Sequence, residues 1–359
     1  MAANITVRYS VPCMLQKAWL GGPTYKDFLR YNQLILITIL GLPVCVVGIF
    51  TSGLSICMFG RDKTTPRTTR KLLIVLSVLD VLYLLLSMLV FQPMNFCGRN
   101  CPQQMPLLTS IIVPLGTILE SFRNWLVVLI GVERFLVICF PVRSKVWWTG
   151  AITNRLIAVC FGFSILVRIP LISFTAIENV RPEWSAVKSR FWQLHCFTDS
   201  ILVTLVPLII LIVCSVQIGR GLRRSGRFRR GQGEHPQLQT ASIDCQKDGI
   251  QSDCIVLRCL KLTRGLLIVI ITFALFMLPL SILQLLSLHF LRHRTCVYMV
   301  SLNICSYLVA LGSQINSTAN FFVYIVYWAK YRRMLRQMLG CQHAPEIVSG
   351  NTELTSGQH

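Results

Sequence analysis

Leu126-Val127-Val128-Leu129-Ile130-Gly131-Val132-Glu133-Arg134-Phe135-Leu136-Val137-Ile138-Cys139 sets an adjacent acid and arginine inside an otherwise apolar run. The run closes a longer apolar stretch over about 105–140. A helix needs roughly 20 mostly apolar residues to cross the ~30 Å hydrocarbon core of a bilayer. Six further stretches reach that length, about 32–60, 69–93, 153–176, 197–224, 258–289 and 297–327. Seven crossings put the chain ends on opposite sides. The expected fold class is all-α, an integral membrane bundle of seven helices, because backbone polar groups in lipid must be satisfied within the helix.

Composition agrees. Hydrophobic residues make up 53% and charged residues 14%, with a mean hydropathy of +0.61. A soluble domain carries about 25% charged residues. The net charge of +21 raises nucleic acid as a partner. That reading is rejected because the charge sits in short loops beside the apolar spans, where membrane lipid is the partner. With the N-terminus outside, the cytoplasmic segments and span ends hold 22 Lys and Arg and the outer segments 10. This split obeys the positive-inside rule. Met1–Arg30 has no apolar core, so the first span is expected to act as its own insertion signal. The expected location is the plasma membrane.

The chain divides accordingly. Residues 1–31 form a short outer segment that cannot fold as a ligand-binding domain, so a ligand must reach the bundle or its loops. Residues 32–327 form the bundle, with a basic third cytoplasmic loop at about 225–257. Over 328–340, Trp328, Tyr331, Leu335, Met338 and Leu339 share one helical face while Lys330, Arg333 and Arg336 lie largely on the other. This predicts an amphipathic helix on the inner leaflet. Residues 341–359 are polar and expected to be disordered. Cys341 is a lipidation candidate or a plain thiol. Asn4-Ile5-Thr6 is a glycosylation acceptor; Asn316-Ser317-Thr318 matches the same pattern but falls inside the seventh span.

Ionisable groups inside a span are costly and default to functional candidates. Glu120, Arg123 and Arg134 lie on the third span. Arg123 precedes Arg134 by three turns, about 16 Å along the axis, which puts it near mid-membrane and near the depth of Asp80. The expectation is an Arg123–Asp80 pair. Two alternatives stand beside it: Arg123 with Glu120 one turn away, and a neutral Asp80. Glu120 and Arg168 are read either as ligand contacts or as an internal ion pair, with Gln284, His289 and Gln314 as further polar contacts. The basic outer loops (Arg181, Lys188, Arg190, Arg292, Arg294) suit a peptide or an acidic ligand. No Cys/His spacing suggests a metal, and no cofactor is expected.

These anchors together resemble the rhodopsin-like G-protein-coupled receptors. Asp80 matches the acid of the second helix, and Glu133-Arg134-Phe135 the third-helix motif with Phe for Tyr. Pro207 and Pro279 match the prolines of the fifth and sixth helices, and Phe273 the sixth-helix aromatic. Asn320-Phe321-Phe322-Val323-Tyr324 resembles the seventh-helix Asn-Pro-x-x-Tyr motif with Phe for Pro. Residues 132–141 and 315–321 look most like invertebrate FMRFamide-type peptide receptors.

The resemblance implies a receptor that binds an extracellular ligand and activates a heterotrimeric G protein. Glu133 would hold Arg134 at rest, and Arg134 would meet the Gα subunit on activation. The Arg123 position is usually Ser and helps form a sodium pocket with the second-helix acid; here the guanidinium would replace the ion, in a buried polar core with Asp80, Asn316 and Ser317. Departures are Gly53 for the first-helix Asn, Thr109 for the third-helix Cys, Ser215 for the fifth-helix Tyr and Met277 for the sixth-helix Trp. Among the 15 cysteines, Cys196 is expected to pair with Cys101, with Cys97 the rival and Cys13–Cys296 a second bridge. Competing classes are a transporter, for which no internal repeat is found, a non-signalling or constitutively active binding protein, and a small-molecule chemosensory receptor. No nucleophile–base pair or phosphate loop points to an enzyme.

Overall fold

The computed structural model describes residues 31–63, 65–96, 105–180, 185–230, 278–279, 281–282, 285–286, 296–327 and 329–338. Among these residues every regular element is helical. The first span opens with a π-helical stretch, Leu34–Leu40, and continues as an α-helix over Gly41–Arg61. Arg67–Phe96 is the second and Met105–Cys139 the third, with Pro114 inside it. A short helix, Pro141–Trp147, starts on a proline whose missing N–H costs nothing at a helix N-terminus. Gly150–Val180 is the fourth span. The fifth begins earlier than expected: Ser185–Thr198 is already helical and runs through a π-helical stretch, Asp199–Leu205, into Val206–Arg230. Cys296–Tyr327 is the seventh, followed by the amphipathic helix Ala329–Met338. Most of the expected sixth span lies outside the described residues.

Among the described residues four helices are long and apolar enough to cross a membrane, over Tyr31–Arg61, Arg67–Leu89, Gly150–Ile177 and Arg190–Gly221. The third- and seventh-span helices carry the polar interior of the bundle. Arg123, Asn124, Gln314, Asn316, Ser317 and Asn320 are all buried there.

In lipid, burying an apolar side chain between helices gains little over leaving it in acyl chains. Close packing and buried polar contacts hold such bundles instead. Both occur here. Leu72, Leu76 and Leu79 recur every three to four residues and meet Phe122, Leu126 and Leu129 of the third helix. Val128 meets Leu208 and Leu211 of the fifth. The first helix approaches the seventh and second closely at Gly48, where a Cβ would press on Thr318 Oγ1 and lie 2.6 Å from Leu84 Cδ1. Only a residue without a side chain permits that approach.

Candidate functional site

The third helix meets the second and seventh at Arg123. Its side chain is 1% exposed and its Nη1 lies 3.8 Å from Asp80 Oδ1. The same Nη1 donates to the Ser313 carbonyl at 3.0 Å and to the Ser317 hydroxyl. The guanidinium sits over the Tyr83 ring, 5.2 Å from its centroid. Asn320 Nδ2 donates to the other Asp80 oxygen at 2.9 Å. Three helices are thus joined through one charge pair, each member also hydrogen-bonded on one side, while Asp80 Oδ1 and Arg123 Nε and Nη2 have no hydrogen-bond partner among the described residues. Asn316 is buried in the same region.

Glu120 lies elsewhere in this network. Its Oε1 accepts from the Ser313 hydroxyl. Among the described residues no ion pair within 4.0 Å joins it to Arg123 or to Arg168. The internal Glu120–Arg168 pair considered from the sequence is therefore not formed. Arg168 instead reaches across to the fifth span: Nη1 lies 2.5 Å from Asp199 Oδ1, and Nε donates to the Thr117 carbonyl at 3.2 Å. Asp199 escaped the sequence reading because it sits just inside the expected start of an apolar stretch. An acid in such a place, with an arginine in a neighbouring span, was the signal available. Gln314 is buried, donates to Ser87 Oγ at 2.7 Å and packs on Gly41, so its role here is internal.

Glu133 and Arg134 do not form the expected resting pair. Glu133 is 1% exposed, and its Oε1 accepts from both Thr68 Oγ1 and Thr69 Oγ1 at 2.9 Å. Among the described residues no ion pair within 4.0 Å joins Glu133 to Arg134. Neighbouring residues on a helix point about 100° apart. Glu133 faces the second helix, and Arg134 is half-buried. Tyr324 packs edge-on against Phe59 at 5.2 Å, and Phe59 packs edge-on against Tyr331 at 5.3 Å. Phe135 meets Phe140 edge-on at 5.8 Å.

A second acid missed in the sequence anchors this end. Asp62 is buried and accepts from Tyr331 OH at 3.1 Å, from Thr65 Oγ1 at 2.6 Å and from Lys330. Burial pushes the Tyr331 phenol up, so it keeps its proton and donates. The amphipathic helix is thereby fixed to the end of the first span.

Pro279 is exposed, and Pro207 is buried. Cys196 is buried. Its expected partner Cys101, the rival Cys97, and Cys13, Asn4, Phe273, Met277, Gln284, His289 and Cys341 lie outside the described residues. Among the described residues no cluster of His, Cys, Asp or Glu could hold a metal ion.

The arrangement combines a charged core within the bundle with an adjacent but unpaired acid and arginine near the end of the third helix. A family model described as 7 transmembrane receptor (rhodopsin family) matches residues 52–324. The chain belongs to the rhodopsin family of seven-transmembrane receptors. The receptor is 23% identical to somatostatin receptor type 5 of Bos taurus over 309 residues, 85% of this chain and 76% of that one. It is 26% identical to the FMRFamide peptide receptor frpr-18 of Caenorhabditis elegans over 183 residues, 47% of this chain and 42% of that one. It is also 25% identical to melanopsin of Rattus norvegicus over 374 aligned residues, 96% of this chain and 70% of that one. The chain is a signalling receptor of the G-protein-coupled kind and not an enzyme.

Proposed function

We propose that the receptor sits in the plasma membrane with its N-terminus outside, binds an extracellular peptide, and passes the event to a heterotrimeric G protein through Arg134. One observation carries the coupling half of this reading. A half-buried arginine lies near the end of the third helix, next to a buried acid that is bonded to the second helix instead. Ligand binding biases a bundle with two arrangements, and the inner end reports which is populated. Phe273, Met277 and Pro279 of the sixth span, with Phe135, Asn320 and Tyr324, are the residues assigned to that change.

The peptide half rests on chemistry and on likeness. The proteins resembling this chain include ones named as somatostatin and FMRFamide receptors. The outer loops are rich in Lys and Arg. Within the bundle, Arg168 and Gln314 are enclosed and already bonded, so direct ligand contact falls to groups with some access. Glu120 is half-buried, and Asp199 keeps 19% side-chain exposure. A Cys101–Cys196 disulfide, a glycan on Asn4 and an acyl chain on Cys341 complete the proposal.

A peptide-library screen reading nucleotide exchange on Gα tests it. At least one peptide is expected to raise exchange in cells carrying the receptor and none in cells carrying Arg134→Ala. Surface tags are expected to show the N-terminus outside and the C-terminus inside. Ser215 supports a second reading. It replaces the fifth-helix Tyr, is buried, and its hydroxyl has no hydrogen-bond partner among the described residues. A bundle without that phenol could bind ligand without switching. Peptide binding with no change in nucleotide exchange would decide for it.

A further inference from the structure

Two threonines hold the acid that stands next to Arg134. Thr68 and Thr69 open the second helix, and both hydroxyls donate to the same oxygen, Glu133 Oε1, at 2.9 Å. The other oxygen, Oε2, is buried and has no hydrogen-bond partner among the described residues. The carboxylate is therefore committed on one side and spare on the other. Its nearest cation in sequence, Arg134, makes no ion pair with it within 4.0 Å among the described residues. Arg134 is half-buried.

A hydrogen bond to a charged group is stronger than one between neutral groups. Two of them on one oxygen compete well with an arginine that would have to turn back around its own helix. Without the hydroxyls, a buried carboxylate would be left without donors, and the adjacent guanidinium becomes its best partner.

We propose that Thr68 and Thr69 are positioning residues for coupling: by holding Glu133 against the second helix, they keep Arg134 clear of its acid and give the receptor ligand-free activity. The proposal rests on the G-protein reading above. It reverses the expectation that Glu133 restrains Arg134 at rest. The restraint is latent here and appears only when the threonines release the acid.

The test measures ligand-free nucleotide exchange on purified Gβγ-bound Gα subunits, in membranes matched for receptor surface density. The wild type is expected to exceed Arg134→Ala. The Thr68→Val, Thr69→Val double variant is expected to lose about tenfold of that excess, the scale of one charged hydrogen bond acting on a two-state equilibrium. Thr68→Ser, Thr69→Ser keeps both donors and is expected to retain the activity. Adding Glu133→Gln to the valine pair removes the charge that captures Arg134 and is expected to restore activity. A merely structural role for the threonines would not produce that rescue. A parallel assay captures heterotrimer on the receptor after apyrase removes nucleotide. If wild type and valine pair exchange equally while capture depends on Arg134, the threonine proposal is overturned and the G-protein reading stands. Absence of rescue by Glu133→Gln also overturns it. If no heterotrimer is captured and no exchange is seen with any receptor form, the G-protein reading fails and takes the proposal with it.

Discussion

Arg123 and Arg134 occupy one helix, three turns apart, and have opposite surroundings. Arg123 is enclosed, with Asp80, Ser313, Ser317 and Tyr83 arranged about it. Arg134 has an acid as its direct chain neighbour, yet that acid belongs to Thr68 and Thr69. The arginine whose partner is 43 residues away in sequence is paired; the one whose partner is adjacent is not. Neighbours along a helix diverge by about 100°, whereas residues on facing helices at one depth converge. The difference separates two uses of a charge. The core arginine ties three helices together, and under the proposed function the other is the one that meets the G protein.

Substitutions should widen or erase this contrast. The largest effect is expected from Arg123→Ala, which strands Asp80 in the bundle and costs ~3–5 kcal/mol. Thermal unfolding in detergent should show the loss directly. The double variant with Asp80→Asn should lose less than the sum of the single losses, because the stranded charge is gone. Equal and additive losses would remove the pair from the account. Arg168→Ala should follow, at up to ~3 kcal/mol, since Asp199 keeps partial access to solvent and is less stranded.

Tyr331→Phe removes the phenol that donates to Asp62 and should cost ~1 kcal/mol. Amide exchange over 329–338 should speed up while the core spans stay protected. The smallest change in stability is expected for Arg134→Ala, within about 1 kcal/mol, because no buried ion pair is broken among the described residues. That variant should nevertheless lose nucleotide exchange. A stability loss as large as that of Arg123→Ala would show that the two arginines are equivalent after all.

Much of the architecture was legible from apolar runs alone. A stretch of 20 or more apolar residues has few alternatives to a spanning helix, and the ordered anchors from Asp80 to Tyr324 narrow the class. The Asp80–Arg123 proximity was also readable, since depth in a bilayer follows from counting residues along a helix. Three other features were not. Asp199 took Arg168 away from Glu120, Thr68 and Thr69 took Glu133 away from Arg134, and Asp62 captured the amphipathic helix. Each depends on which way a side chain turns around its helix axis and on what a neighbouring helix brings to that spot.

By itself, then, the sequence determined that the chain spans a membrane as helices and how far apart its charges lie along each of them. Both follow from one-dimensional quantities: hydropathy, segment length and rise per residue. Only the packed bundle decided which charge pairs with which. A buried ion takes the partner that can be reached and hydrogen-bonded in low dielectric, and that geometry is set by helix rotation and contact between elements far apart along the chain.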